Sequence, residues 1–119
     1  MYGDLSSRSI DIKKSRYGES SMPAIAENPS KCEHIAQILK AMGHPIRLRM
    51  VALLCEEELH VGAISERLGV AQASVSQQLG ILRMRGLVGN TRVDGRSVYR
   101  ITEPRLRQLV ACMEGCKVD

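Results

Sequence analysis

The 119-residue sequence has no Phe, no Trp and only three Tyr. A core without large rings must be assembled from Leu, Ile, Val, Met and Ala, a palette that suits packed helices. No apolar run approaches the roughly 20 residues needed to cross a bilayer. The opening MYGDLSSRSIDIKKSR puts charges where a signal peptide needs its apolar segment. A cytoplasmic protein is therefore expected. Cysteines there are ordinarily reduced, so the four in this chain are expected as free thiols, metal ligands or redox sensors rather than structural disulfides. There is also no Cys-X-X-Cys, no phosphate-binding loop and no Ser/His/Asp arrangement. The terminal pair Cys112 and Cys116 falls near a helix C-terminus, where the helix dipole disfavours a thiolate nucleophile. An enzyme is not expected.

What is present is basic and unevenly placed. The whole chain carries +4, and the segment from Gln72 to Arg100 holds five Arg against the single acid Asp94. Arginine concentrated in one segment points to a polyanionic partner. Residues 1–27 are polar, Ser-rich and aperiodic, and are expected as a disordered arm, with one domain over 28–119. Asn28 as N-cap, Pro29 at the first helical position and Gly43 as stop bracket a first helix with the stripe Ile35, Ile38, Leu39 and Met42. A second helix restarts at Pro45 behind His44 as its cap, whereas His34 and His60 are expected as surface or satisfied residues. VGAISERLG makes a short third helix. The fourth, VAQASVSQQLGILRMRG, turns Val75, Leu79 and Leu82 inward and stops at Gly86. Two β-branched runs then flank Asp94-Gly95, a strong hairpin signal. Thr102, Glu103 and Pro104 open a last helix with the stripe Leu106, Leu109, Val110 and Met113.

A short helix, a tight turn, a second helix and a β-ribbon make a winged helix–turn–helix, a mainly α fold with a β-hairpin wing (α+β). The major groove admits one helix, so the fourth helix would present Gln72, Ser74, Ser76 and Gln77 to base edges. Arg83 is a further candidate DNA contact, and the hairpin with Arg92 and Arg96 would lie along the backbone or minor groove, giving mostly sequence-independent, salt-dependent affinity for double-stranded DNA. DNA binding of this kind needs no cofactor.

The stretches LKAMGHPIRLRMVALL, LGVAQASVSQQLGILRMRGLV and RVDGRSVYRIT resemble the ArsR/SmtB family of bacterial metal- and stress-responsive repressors, in order and in spacing. The resemblance covers about Cys32 to Cys116. It implies a homodimer joined through the first and last helices, seated on operator DNA and released by an effector. The family's recognition helix usually opens with Ser-Gln and often carries His where Gln77 and Gln78 stand; here Ala71 replaces the Ser. The family's arsenic and cadmium box aligns with ELHVGAIS, where His60, Gly62 and Ser65 replace thiols. Its zinc site aligns with Glu103 and Arg105, and Arg cannot ligate a cation. A third family type reads sulfide or oxidants with one cysteine in the second helix and one near the end of the last. Cys55 with Cys116 or Cys112 falls near those positions, Cys55 about one turn late.

The remaining thiol arrangement is Cys32, Cys112 and Cys116. Cys112 and Cys116 are one helical turn apart, and Cys32 starts the other helix assigned to the dimer interface. Three thiolates would suit a soft ion, trivalent arsenic first; Cys55 as a fourth ligand would favour tetrahedral zinc or cadmium. Two thiols alone would favour disulfide or polysulfide chemistry. The expectation is a dimeric repressor released by arsenite or another thiophilic ion, with reactive sulfur or oxidants as the alternative inducer.

Overall fold

The structure, a computed structural model, describes residues 22–116. The chain divides into two compact units, residues up to Gln37 and residues from Ile38 onward. Of the arm expected over 1–27, residues 1–21 lie outside the described residues. Residues 24–27 form a turn in which the Ala26 and Glu27 amides donate to the Pro23 carbonyl. The first helix, α1 (Pro29–Met42), starts where its capping residues place it: the Lys31 amide donates to Asn28 Oδ1 at 3.0 Å. Of its apolar stripe, Ile38 and Met42 are buried together with Ala41, whereas Leu39 is 52% exposed.

Helix α2 (Pro45–Glu56) is capped by the imidazole of His44, whose Nδ1 accepts from the Ile46 amide at 3.2 Å. A two-residue strand, β1 (Leu59–His60), leads into α3 (Val61–Leu68), which Gly69 ends in the left-handed region at φ 67°. Residues 69–71 form the tight turn into α4 (Gln72–Met84), and these two helices are the helix–turn–helix. Strands β2 (Val88–Val93) and β3 (Arg96–Ile101) follow, and α5 (Pro104–Glu114) closes the fold behind Glu103, whose side chain accepts from the Arg105 amide. Asp94 and Gly95 sit at φ 52° and 80°. Both central residues of a two-residue type I′ turn need positive φ, which Asp-Gly supplies.

The sheet is antiparallel in the order β1-β3-β2. Strand β1 was not expected from the sequence: two residues are too short to show an alternating pattern, and the pairing Leu59 with Tyr99 depends on a partner forty residues away. Met50, Val51, Leu54, Ile64, Val75, Leu79, Leu82 and Leu106 fill the core and are essentially inaccessible to solvent. Leu79 and its neighbours fix α4 by one face alone, which leaves the opposite face outward.

Candidate nucleic-acid interface and thiol sites

The residues of α4 divide by periodicity. Val75, Leu79 and Leu82 face the core; Ala73, Ser76, Gln77, Gly80, Arg83 and Met84 are exposed, three or four residues apart, and share the opposite face. Gln72 is exposed at the first turn. Of the expected base-reading residues, Gln72, Ser76 and Gln77 therefore project outward, with Arg83 one to two turns further on. Ser74 is half-buried on the flank of the helix that it shares with the half-buried Gln78 and Ile81, four and seven residues further on. The first turn of α4 has no side-chain cap, since Ala71 has no acceptor to offer. Its leading amides are thereby left for another acceptor.

Position 78 is engaged inside the chain. Arg47 donates from NH1 to Gln78 Oε1 at 2.9 Å and from Nε to the Ala41 carbonyl at 2.6 Å. One guanidinium thus ties the inner flank of the recognition helix to the last turn of α1, supplying a carbonyl that the helix itself leaves unpaired. Neither residue stood out in the sequence, because a contact across 31 residues has no local pattern.

Register sorts the wing by face. Cross-strand partners in an antiparallel pair share a face, so Arg92 and Ser97 lie with Asn90, Tyr99 and the buried Val88 and Ile101. Arg96 lies on the other face with Thr91, Val98, Arg100 and, through the β1 pairing, His60. Arg92 and Arg96 are both exposed near the hairpin tip, on opposite faces of the ribbon. Arg100 NH1 contacts Thr91 Oγ1 at 3.4 Å. His60 is an N-cap in addition to a strand residue: its Nδ1 accepts from the Ala63 amide, and its Nε2 is 3.1 Å from Arg96 NH1.

The four thiols are free. Cys32, in the N-terminal unit, is half-buried and donates through Sγ to the Ile25 carbonyl at 2.8 Å. Cys112 and Cys116 are exposed, and Cys116 Sγ is 4.0 Å from the Cys112 carbonyl. Cys55 is half-buried at the end of α2, and burial pushes its thiol up from 9.0, against the opposing effect of the Arg107 guanidinium. Arg107 donates to the Cys55 carbonyl at 2.8 Å, while Leu48 and Ala52 meet Val110, Met113 and Glu114 in an apolar groove. Helices α2 and α5 thus run antiparallel. Cys55 lies beside the start of α5, and Cys112 is about 7–8 Å further along that helix at the usual rise, with Cys116 beyond its end. Among the described residues, no three His, Cys, Asp or Glu side chains are grouped so as to hold a metal ion. No helix among them is long and apolar enough to cross a membrane.

A two-helix reader with a β-ribbon wing defines the class: a winged helix–turn–helix transcriptional regulator. The model described as "Bacterial regulatory protein, arsR family" matches residues 44–89. The biofilm growth-associated repressor of Xylella fastidiosa is 40% identical over 80 residues, 67% of this chain and 70% of that protein. The crystal structure of the transcriptional repressor BigR from Xylella fastidiosa aligns with a TM-score of 0.68 at 37% identity, covering 74% of this chain and 92% of that one. The homodimeric winged helix–turn–helix DNA-binding domain of Mb0332 from Mycobacterium bovis aligns with a TM-score of 0.63 at 27% identity, over 78% of this chain and 84% of that one. The chain belongs to the ArsR family of bacterial regulatory proteins. It is a regulator and not an enzyme.

Proposed function

We propose that the chain is an operator-binding homodimer that represses transcription and is released by a thiol-directed effector acting at Cys112 and Cys116, arsenite first. The observation that carries the DNA-binding half is the outer face of α4. Gln72, Ser76, Gln77 and Arg83 are exposed there and make no side-chain hydrogen bond among the described residues. Gln offers a paired donor and acceptor that matches an adenine edge, and Arg matches guanine or phosphate. Two such helices reach successive major grooves, about 34 Å apart, only in a dimer. The dimer is supported by exposed apolar residues on the first and last helices, Leu39 and Met113, and by the homodimeric state named for the Mycobacterium bovis relative.

On the effector, the placement of Cys55 separates the two chemistries. A disulfide needs Cα atoms within about 6.8 Å, and Cys55 stands at the far end of the α2/α5 pair from Cys116. Its raised titration also leaves less thiolate to react. The exposed pair Cys112 and Cys116 then favours a thiophilic ion over an intrachain Cys55 bridge. Release is a population shift: the effector must bind a dimer geometry whose two α4 helices no longer match the groove spacing.

Fluorescence anisotropy on DNA from upstream of the protein's own coding sequence tests both halves. Tight, salt-sensitive binding is expected, weakened about a hundredfold by arsenite, which corresponds to a coupling near the upper end of the usual 1–3 kcal/mol. The double variant Cys112→Ser, Cys116→Ser should bind the DNA as tightly and ignore arsenite. Release by polysulfide or peroxide but not by arsenite, zinc or cadmium would instead establish the redox alternative.

A further inference from the structure

The contacts of His60 contain a conflict that points to a ligand. Its Nδ1 accepts the Ala63 amide at 3.3 Å as the N-cap of α3. A neutral imidazole has one acceptor nitrogen, so with Nδ1 accepting, Nε2 carries the proton. Yet Nε2 stands 3.1 Å from Arg96 NH1, which is also a donor. Two N–H groups thus stand against one another, and among the described residues neither donates to a protein acceptor. Moving the ring proton to Nδ1 would satisfy Arg96 at the expense of the cap, and a doubly protonated ring would conflict with both neighbours.

The surroundings sharpen the picture. Strand register puts His60, Arg96, Arg100 and Thr91 on one face of the sheet. Among the described residues no carboxylate pairs with Arg96. The His60 ring also flanks Gly62 together with the recognition helix: a Cβ built on Gly62 would stand 3.2 Å from His60 Cε1 and 3.4 Å from Gln72 Nε2. The His60 ring therefore touches Arg96 of the wing on one side and, across Gly62, lies near the first turn of α4 on the other.

We infer that His60 Nε2–H and the Arg96 guanidinium jointly hold one phosphate of the DNA backbone, beside the Gln72 amide. A phosphate oxygen seated over the pair accepts from both at ordinary charge-assisted distances, about 2.7–2.9 Å, and removes the conflict while Nδ1 keeps its cap. His60 then fixes the wing to the start of the helix–turn–helix, so that backbone contact and base contact are set in one register. The inference rests on the DNA-binding reading above.

The test uses the full chain, a random-sequence 24-base-pair duplex and anisotropy over a range of KCl, because a phosphate contact does not depend on sequence. His60→Asn keeps an acceptor where Nδ1 sits and is a good N-cap, but has nothing at the Nε2 position. Its melting temperature should stay within about 2 °C of the parent while affinity falls about fivefold, the scale of one ordinary net hydrogen bond. Arg96→Ala should lose about tenfold and reduce the salt slope by about one. The double variant should bind no more than about twofold worse than Arg96→Ala, since the two groups share one phosphate. Imidazole nitrogen shifts in the complex should report the Nε2–H tautomer, a readout that stands even if His60→Asn is destabilised. Parental affinity in His60→Asn, multiplying losses in the double variant, or an Nδ1–H ring in the complex would each overturn the assignment. A parent chain that binds no duplex at all would instead overturn the DNA-binding reading on which it rests.

Discussion

The two ends of this molecule are finished to different degrees. At the helix–turn–helix and wing, each inward residue is covered and each turn is closed from within: Val75, Leu79 and Leu82 are fully buried, Gly69 ends α3, and Asp94-Gly95 reverses the wing. What remains outward on α4 includes the polar Gln72, Ser76, Gln77 and Arg83, with Met84 exposed beside them. On α1 and α5 the exposed residues include, among charged side chains such as Lys40, Arg107 and Glu114, the apolar Leu39 and Met113 and the thiol Cys112, with Cys116 just beyond α5. A polar outer face is stable in water as it stands, whereas exposed large apolar side chains are completed by another surface. On the proposed reading, one end serves a charged partner and the other a second copy of the chain.

The largest expected effect separates these ends by stability. Leu79 is inaccessible and holds α4 to the core, so Leu79→Ala should cost about 3–5 kcal/mol, from lost burial and a residual cavity. Met113 is 40% exposed, and Met113→Ala should cost the fold of one chain less than about 1 kcal/mol. Its effect should appear as a weaker dimer, with a denaturation midpoint that depends more steeply on protein concentration. Urea titrations at two concentrations check both. Equal losses for the two variants at unchanged dimer affinity would erase the contrast and make the outer face of α5 part of the core.

That contrast also marks what the sequence could reveal. The caps at Asn28, His44 and Gly69, the prolines at the starts of α1, α2 and α5, and the Asp94-Gly95 turn act on residues within a few positions, so they are written locally. The outward placement of Gln72, Ser76 and Gln77 on α4 could be read from periodicity alone. Strand β1, the Arg47 link to Gln78 and the double role of His60 depend on residues 31 to 40 positions away, and no local pattern encodes such pairs. The half-burial of Ser74 depends on what packs along the flank of α4, which its residue type does not show. The thiols stand apart: their types are visible in the sequence, but what they do depends on a subunit contact.

A smaller effect tests the polar end alone. Gly80 lies mid-helix on the outer face of α4, and a Cβ built there meets nothing within 4 Å. The fold gives no reason for a glycine, which costs a helix interior about 0.5–1 kcal/mol relative to alanine. Gly80→Ala should therefore raise stability by about that amount. If α4 lies close against the groove floor, the same methyl should weaken duplex binding by a few-fold. Opposite signs in a thermal melt and a DNA titration are expected; a stabilised variant with unchanged affinity would put Gly80 away from the DNA.

The smallest expected effect concerns the other end. Burial holds Cys55 in its neutral form to higher pH than an ordinary thiol, and only the thiolate alkylates quickly. At pH 8, iodoacetamide followed by mass spectrometry should modify the exposed Cys112 and Cys116 first and Cys55 well behind them. The same shift has a consequence for stability. A thiol whose titration is raised in the folded state supports folding below the unfolded value, and that support fades as pH rises through the folded one. Cysteine in the unfolded chain titrates near 8.5, so as pH rises above that value a Cys55→Ala variant should lose less stability than the parent. Faster alkylation of Cys55 than of Cys112 would show α2 and α5 opening in solution. The Cys55 bridge would then become reachable, and the preference for a thiophilic ion would reverse.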